Sequence, residues 1–163
     1  LLLLAARIGA DVPYFVSGFG TCLVRGIGDK LRDLPSCRYP WFVLISPHIH
    51  CDTQTMYRWV DEESTLVKPT RTPREILKYH IGGNDFKEVL WSHFPEFAEI
   101  EKELFALSAA PVYLSGSGST LFLPMKTFND AEKWEKILHK RLENCRIFVT
   151  KSMKRTYAIA KQR

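Results

Sequence analysis

The spacing of apolar and polar positions divides the chain into amphipathic helices and short strands. Apolar residues recur at spacings of three and four over 96–107 and over 128–143, which predicts two helices. The apolar run Trp41–Ile45 has the length of a strand and predicts a buried central strand. Shorter runs that contain β-branched residues predict further strands at 19–24, 111–114, 120–123, 146–150 and 153–160.

Capping residues and helix breakers delimit the other helices. Asp52 or Thr53 can begin a helix that runs to about Val60, and Asn84 can cap a short helix over 85–91. A helix that begins at Thr72 should end at Gly82 and Gly83.

The order of these elements predicts an α+β fold with two lobes. From Trp41 onwards it runs strand, helices, strand, strand, helix, strand, which is the order of a ferredoxin-like lobe. Pro35, Ser36 and Pro40 indicate a linker. We therefore predict a domain boundary that separates residues 1–38 from residues 39–163.

The carboxylate of Asp11 lies in a segment whose backbone we expect to be rigid. The helix formers of 1–8 end at Gly9, while Pro13 fixes its own backbone angle and biases Val12 towards an extended conformation. Asp11 is therefore predicted on a turn from a helix to a strand. A carboxylate held in this way can orient a substrate hydroxyl or accept its proton, but it can also hydrogen-bond local backbone amides.

Two glycine-containing segments are candidates for binding phosphate. The turn 25–29 (Arg-Gly-Ile-Gly-Asp) can bring backbone amides and Arg25 to a ligand phosphate, or it can be a plain β-turn. The segment 115–119 (Ser-Gly-Ser-Gly-Ser) follows a predicted strand directly. It can expose several amides at one point, or it can be a flexible hairpin connection.

Composition is that of a soluble globular protein. With 163 residues, 45% hydrophobic and 25% charged, the chain suits one domain, or one domain and a piece of another. No apolar run approaches the roughly 20 residues that span a membrane, so we expect no membrane partner. The four opening leucines resemble the interior of a helix whose beginning is missing, in agreement with the absence of an initiating methionine.

Charge and metal-binding residue types narrow the choice of partners. A net charge of +5 suits an anionic substrate. Basic residues are dense only near the C-terminal end, at 151–163, which favours a solvated surface over nucleic-acid binding. The four cysteines and five histidines show no metal-ligand spacing, so we predict no metal site and reduced thiols in a cytosolic protein.

Several motifs occur together, and in the same order, in a known family. The chain resembles the 4-diphosphocytidyl-2-C-methyl-D-erythritol kinases, of the GHMP kinase superfamily, in motifs at 9–15, Gly18, 25–31, Pro47, 53–57, 84–85 and 115–119. The resemblance covers nearly the whole chain. It implies that 1–38 is the end of a ribosomal-S5-domain-2-like lobe, a remnant of the ATP-binding domain. By the same resemblance, 39–163 is the ferredoxin-like C-terminal lobe that binds substrate.

The resemblance also implies roles for individual residues. Asp11 corresponds to the catalytic aspartate, and Tyr57, four residues after Thr53, to the aromatic residue that stacks on the substrate's cytosine. The alternative for Tyr57 is a ring packed in the core with its hydroxyl at the edge. The remaining implied site residues are Arg25 for substrate and the active-site loop Gly116, Ser117, Gly118 and Ser119. We interpret Asn84 and Asp85 as structural, because helix capping explains them.

The implied reaction transfers the γ-phosphoryl group of ATP, with Mg²⁺, to the 2-hydroxyl of the cytidine-diphosphate-linked substrate in non-mevalonate isoprenoid synthesis. The family's ATP-phosphate loop, of the Pro-x-x-x-Gly-Leu-Gly-Ser-Ser type, does not occur in the chain. We therefore predict the C-terminal portion of a kinase that is largely inactive by itself and needs the N-terminal half as a partner. The expected compartment is the bacterial cytoplasm or the plastid stroma.

Three other interpretations remain open. Another GHMP small-molecule kinase would share the fold and the glycine-serine loop. A non-catalytic ferredoxin-like binding module would bind no cytidine nucleotide. A basic RNA-binding domain would bind single strands in a salt-dependent way, but the chain lacks the aromatic and basic strand signature of the RRM kind.

Overall fold

The computed structural model describes residues 1–35, 39–63, 83–107 and 111–155. Helices and strands are mixed along the chain, which confirms the α+β prediction. Two compact units are present, and the division between them falls at the predicted proline-rich linker. Residues 152–155 group with the first unit. The assignment of 1–38 and 39–163 to two kinase domains stays a prediction.

The first unit consists of two short helices and a hairpin. Its elements are α1 (Leu2–Ile8), α2 (Val12–Ser17), β1 (Cys22–Arg25) and β2 (Lys30–Asp33), the two strands being antiparallel. The predicted strand after Asp11 is wrong, because Val12 begins a helix. Pro13 lies in the first turn of α2, where the missing N–H has no intrahelical partner to lose, and Gly18 ends the helix with a left-handed φ of 78°.

The second unit contains a four-stranded antiparallel sheet and four helices in the portion of the chain that the structure describes. Its elements are β3 (Trp41–Pro47), α3 (Thr53–Glu62), α4 (Phe86–His93), α5 (Pro95–Ala106), β4 (Tyr113–Leu114), β5 (Leu121–Met125), α6 (Phe128–His139) and β6 (Cys145–Lys151). The strand order is β4-β5-β3-β6, so the predicted central strand is indeed internal.

Alternating side chains of the sheet form the core with the helices. Val43 and Ile45 of β3 and Leu121 and Leu123 of β5 are fully buried, as the period of two along a strand requires. The helices contribute a second set of buried side chains, which includes Met56, Leu90, Phe97, Ile100, Leu104 and Leu138.

Most element predictions within the described residues are confirmed, with ends shifted by a few residues. The predicted helix after Thr72 and most of the predicted strand 153–160 lie outside the described residues, and 153–155 are not in a strand. None of the helices that the structure describes is both long and apolar enough to cross a membrane. Cys22, Cys51 and Cys145 are free thiols, and burial raises the pKa of each.

Candidate functional site

Asp11 lies at the turn between α1 and α2 with its carboxylate exposed to solvent. Its backbone carbonyl accepts hydrogen bonds from the amides of Tyr14 (3.1 Å) and Phe15 (3.4 Å). Its side chain makes no capping hydrogen bond to α2. Capping therefore does not occupy the carboxylate oxygens, and they are accessible to a ligand.

The glycine turn after β1 lies directly against the segment that carries Asp11. Gly28 is buried with a φ of 94°, and a Cβ added there would lie 1.9 Å from the carbonyl oxygen of Ala10. Asp29 Oδ1 accepts a hydrogen bond from the Ile27 amide (3.2 Å) and closes the turn. The turn thus supports the backbone next to Asp11, and Arg25 stands exposed where β1 ends.

Tyr14 fixes α2 to the segment that leads into β1. Its hydroxyl donates to the carbonyl of Gly20 at 3.1 Å. Burial, followed by the nearby Cys22, raises the pKa of Tyr14, so the hydroxyl remains a donor at neutral pH. This bond links the helix that follows Asp11 to the hairpin that carries Arg25.

In the second unit, the glycine-serine loop joins β4 to β5 as a closed turn. The Ser115 amide donates to the Thr120 carbonyl (2.9 Å), and the Gly118 amide donates to the Ser115 carbonyl (3.1 Å). Gly116 and Gly118 have φ of 57° and 97°, values that favour glycine. The loop is therefore a hairpin turn with defined hydrogen bonds, as the alternative interpretation described its connection, and its role in binding stays a prediction.

The N-terminus of α3 contacts this loop. Thr53 is the first residue of the helix, and its Oγ1 lies 2.9 Å from Ser117 Oγ. Asp52 caps the same turn by accepting from the Thr55 amide at 2.8 Å, and this bond lowers the pKa of the Asp52 carboxyl. The structure thus brings together two of the predicted site residues.

Tyr57, one turn further along α3, presents its ring to solvent. The side chain is 59% exposed, so it is not the core residue that the alternative interpretation described. Phe86 packs against the ring at a centroid distance of 4.9 Å and an interplanar angle of 85°. A cavity of about 340 Å³ opens there, lined by Tyr57, Val60, Gly83, Asn84, Asp85 and Phe86.

Side-chain contacts join α3 and α4, both of which contribute residues to the lining of this cavity. Trp59 of α3 stacks on His93 of α4 with ring centroids 3.7 Å apart. His93 Nε2 also contacts Glu63 Oε1 just after α3. Tyr57 lies on α3 and residues 83–85 lead into α4, and these two helices pack on each other.

Asn84 has contacts that the sequence did not predict. The N-cap position of α4 is Asp85 rather than the predicted Asn84, but Asn84 Oδ1 accepts from the amide of Phe86, the first residue of the helix, at 3.0 Å. Its Nδ2 also donates to the carbonyls of Leu114 (3.1 Å) and Gly116 (2.7 Å), at the base of the glycine-serine loop. These two bonds span about 30 residues of chain, and the only sequence signal for them was an amide side chain, which can donate and accept at once.

The predicted site residues thus form one group in each unit. Asp11 and Arg25 belong to the first, and Thr53, Tyr57 and the loop 116–119 belong to the second. Within the described residues, no three His, Cys, Asp or Glu side chains are grouped so as to hold a metal ion. The roles of these residues stay predictions.

Comparison with known proteins identifies relatives. No protein-family model matches the chain. The 4-diphosphocytidyl-2-C-methyl-D-erythritol kinase of Chlorobaculum tepidum is 35% identical over 139 residues, which are 80% of this chain and 48% of that protein. The enzyme of the same name from Dehalococcoides mccartyi is 32% identical over 142 residues, 82% of this chain and 50% of that protein.

The chain is a homologue of the 4-diphosphocytidyl-2-C-methyl-D-erythritol kinases. The family resemblance read from the order of motifs is therefore confirmed. The chain spans about half the length of the curated relatives it matches.

Solved structures give the same relationship. A crystal structure of 4-(cytidine 5'-diphospho)-2C-methyl-D-erythritol kinase matches with a TM-score of 0.66 and 25% identity, over 91% of this chain and 55% of that one. Homoserine kinase from Cytophaga hutchinsonii matches with a TM-score of 0.56 and 16% identity, over 90% of this chain and 51% of that one. The second likeness concerns the fold alone.

Proposed function

We propose that the chain supplies the acceptor-substrate side of a kinase that phosphorylates the 2-hydroxyl of 4-diphosphocytidyl-2-C-methyl-D-erythritol, with ATP as donor. The observation that carries this proposal is the exposed ring of Tyr57 at a cavity of about 340 Å³, in a homologue of these kinases. Asn84, which also lines that cavity, donates to the Gly116 carbonyl of the glycine-serine loop. The product belongs to isoprenoid synthesis by the non-mevalonate route. The relatives are bacterial, which supports the bacterial cytoplasm rather than the plastid stroma as the compartment.

Tyr57 binds the cytosine by stacking. An aromatic ring contributes about 1–3 kcal/mol per stacked base, so a single exposed tyrosine can account for much of the affinity for the nucleoside. The loop amides other than that of Gly118, which donates to the Ser115 carbonyl, then point towards the diphosphate or the reacting groups, and Thr53 fixes the loop through Ser117. Arg25 contributes positive charge to the same anionic substrate.

Asp11 orients the acceptor hydroxyl. Phosphoryl transfer depends mainly on positioning and on neutralising charge around the moving group. A carboxylate is a weak base towards an alcohol, so Asp11 holds the hydroxyl in line and receives its proton late in the transfer. The contact of Gly28 with Ala10 supports this role, because it limits movement of the backbone beside Asp11.

The domain assignment belongs to the same proposal. The strand order β4-β5-β3-β6, with helices in the first and last connections, supports a ferredoxin-like substrate-binding lobe. The first unit is then the end of the ATP-binding, ribosomal-S5-domain-2-like domain. Apolar side chains stand exposed on α1, at Leu3, Leu4 and Ile8, and just before it, at Leu1. They support a further partner, the N-terminal half of the same kinase, which also supplies the main contacts to ATP and Mg²⁺.

Binding of cytidine nucleotides tests the proposal. We expect the chain to bind CMP and CDP in calorimetry, and Tyr57→Ala to raise Kd about tenfold or more, since about 1.4 kcal/mol of stacking corresponds to tenfold. Tyr57→Phe should keep most of the affinity. Phe105→Ala is the matched control, because Phe105 is an exposed aromatic residue on α5, outside the cavity.

Three results would contradict the proposal. The first is a chain that binds no cytidine nucleotide, as a non-catalytic module would. The second is a preference for homoserine, and the third is a Tyr57→Ala variant with unchanged affinity.

A further inference from the structure

Asn84 bonds to three segments of the second unit, and the role assigned to it below rests on the proposed function of the Tyr57 cavity. Both the oxygen and the nitrogen of the Asn84 side-chain amide form hydrogen bonds. Oδ1 accepts from the Phe86 amide at the start of α4, and Nδ2 donates to the carbonyls of Leu114 and Gly116. One side chain therefore joins a helix start, the end of β4 and the glycine-serine loop.

Few other side-chain bonds hold that loop among the described residues. Thr53 Oγ1 meets Ser117 Oγ at 2.9 Å, and Ser119 Oγ donates to the Pro47 carbonyl at a long 3.5 Å. A Cβ added at Gly116 would meet nothing within 4 Å, so the space on that side of the residue is open. The 2.7 Å bond from Asn84 Nδ2 thus holds the Gly116 carbonyl directly, in addition to the two backbone bonds that close the turn.

Asn84 and Tyr57 both line the cavity described above. A ligand in that cavity contacts the residue that holds the loop. We propose that Asn84 is the positioning residue of the site, which orients the amides of 116–119 and makes their order depend on whether the cavity is occupied. Asn84 acts through the loop and needs no contact with the reacting atoms.

The variant Asn84→Asp isolates this role. Aspartate keeps an oxygen to accept from the Phe86 amide, but it loses both N–H donors and sets a carboxylate against the Leu114 and Gly116 carbonyls. Asn129→Asp is the matched control, since Asn129 is an exposed residue of α6 and the substitution adds the same charge. Amide hydrogen exchange of the full 163-residue chain, with and without CMP, is the measurement.

Without ligand, we expect Asn84→Asp to speed exchange at 116–119 about tenfold or more, while exchange within α4 stays within about twofold of the parent chain. Saturating CMP should slow exchange of these loop amides in the parent and in Asn129→Asp. In Asn84→Asp the same saturation should leave loop exchange unchanged. A purely structural cap would not produce this loss of coupling.

Three other outcomes would each contradict either this proposal or the proposed function. Unchanged loop exchange in Asn84→Asp overturns the proposal. Loss of protection throughout α4 also overturns it, because Asn84 is then a general cap. Failure of the parent chain to bind CMP rejects the proposed function, while the exchange rates measured without ligand still decide whether Asn84 positions the loop.

Discussion

Two glycines of the candidate site, Gly28 and Gly118, lie so close to other segments that a side chain there would meet them. At Gly28 a side chain would collide with the Ala10 carbonyl, and at Gly118 it would lie 3.3 Å from Cys51 Sγ and 3.4 Å from Leu90. The sequence could show that glycines were present, but it could not show which of them touched another segment. Their spacing is that of any turn, whereas the contacts come from residues far away in the chain.

Gly118→Ala should disturb the loop more than Gly116→Ala. Gly118 has a φ of 97° and close neighbours, so alanine there should cost about 2–3 kcal/mol of unfolding free energy. Gly116 has a φ of 57° and open space around it, so alanine there should cost only about 1 kcal/mol. Urea denaturation measures both. Equal losses would mean that Cys51 and Leu90 do not restrict the loop.

Single elements show where pattern reasoning worked and where it failed. Strongly periodic segments such as α5 and α6 were predicted correctly, because burial of an apolar stripe and local capping both act over short range. The segment after Asp11 was predicted as a strand, because the proline was read as an extension signal. Proline is equally favourable in the first turn of a helix, and Pro13 lies in the first turn of α2.

The cap of α3 should give the chain an acid-sensitive step. The Thr55 amide stabilises the charged form of Asp52 and lowers its pKa below the ordinary value of about 3.9. The stabilisation is therefore fully present above about pH 4 and is lost as the pH falls through the folded-state pKa. Asp52→Asn keeps an acceptor for the Thr55 amide without this titration.

Thermal unfolding followed by circular dichroism between pH 7 and pH 3 tests this step. The Tm of the parent chain should fall relative to that of Asp52→Asn below about pH 4. Asp61→Asn, on the same helix but outside the capping turn, is the control and should follow the parent. If the Tm of the parent and that of Asp52→Asn fall in parallel with pH, Asp52 does not contribute to the acid sensitivity of the chain.

At the scale of the whole molecule, the order of several weak motifs predicted the family before any fold was known. Each motif alone had a plain structural alternative. The structure removes two of these alternatives, because Tyr57 is exposed rather than packed in the core and the Asp11 side chain does not cap α2. The bonds of Asn84 escaped prediction because they join segments about 30 residues apart. Such pairings depend on the sheet order, which a single sequence does not reveal.

The exposed leucines of α1 should become buried when the chain is joined to the half of the kinase that it does not match. Leu3 is 84% exposed, so Leu3→Ala should barely change the unfolding free energy of the chain alone. In a fusion to the N-terminal half of the Chlorobaculum tepidum enzyme, the same change should cost about 2 kcal/mol or more, because a buried leucine leaves a cavity. Phe105→Ala, at another exposed apolar residue, should change neither protein.

Activity of the fusion completes this test. We expect the chain alone to transfer no phosphoryl group from ATP to 4-diphosphocytidyl-2-C-methyl-D-erythritol, because the phosphate-binding loop of the family does not occur in it. The fusion should turn over, Asp11→Asn should abolish turnover without lowering Tm, and Leu3→Ala should lower Tm and turnover together. Turnover by the chain alone that depends on Asp11 would show that ATP is bound by residues within these 163, and the proposed division of labour between the two halves would then be wrong.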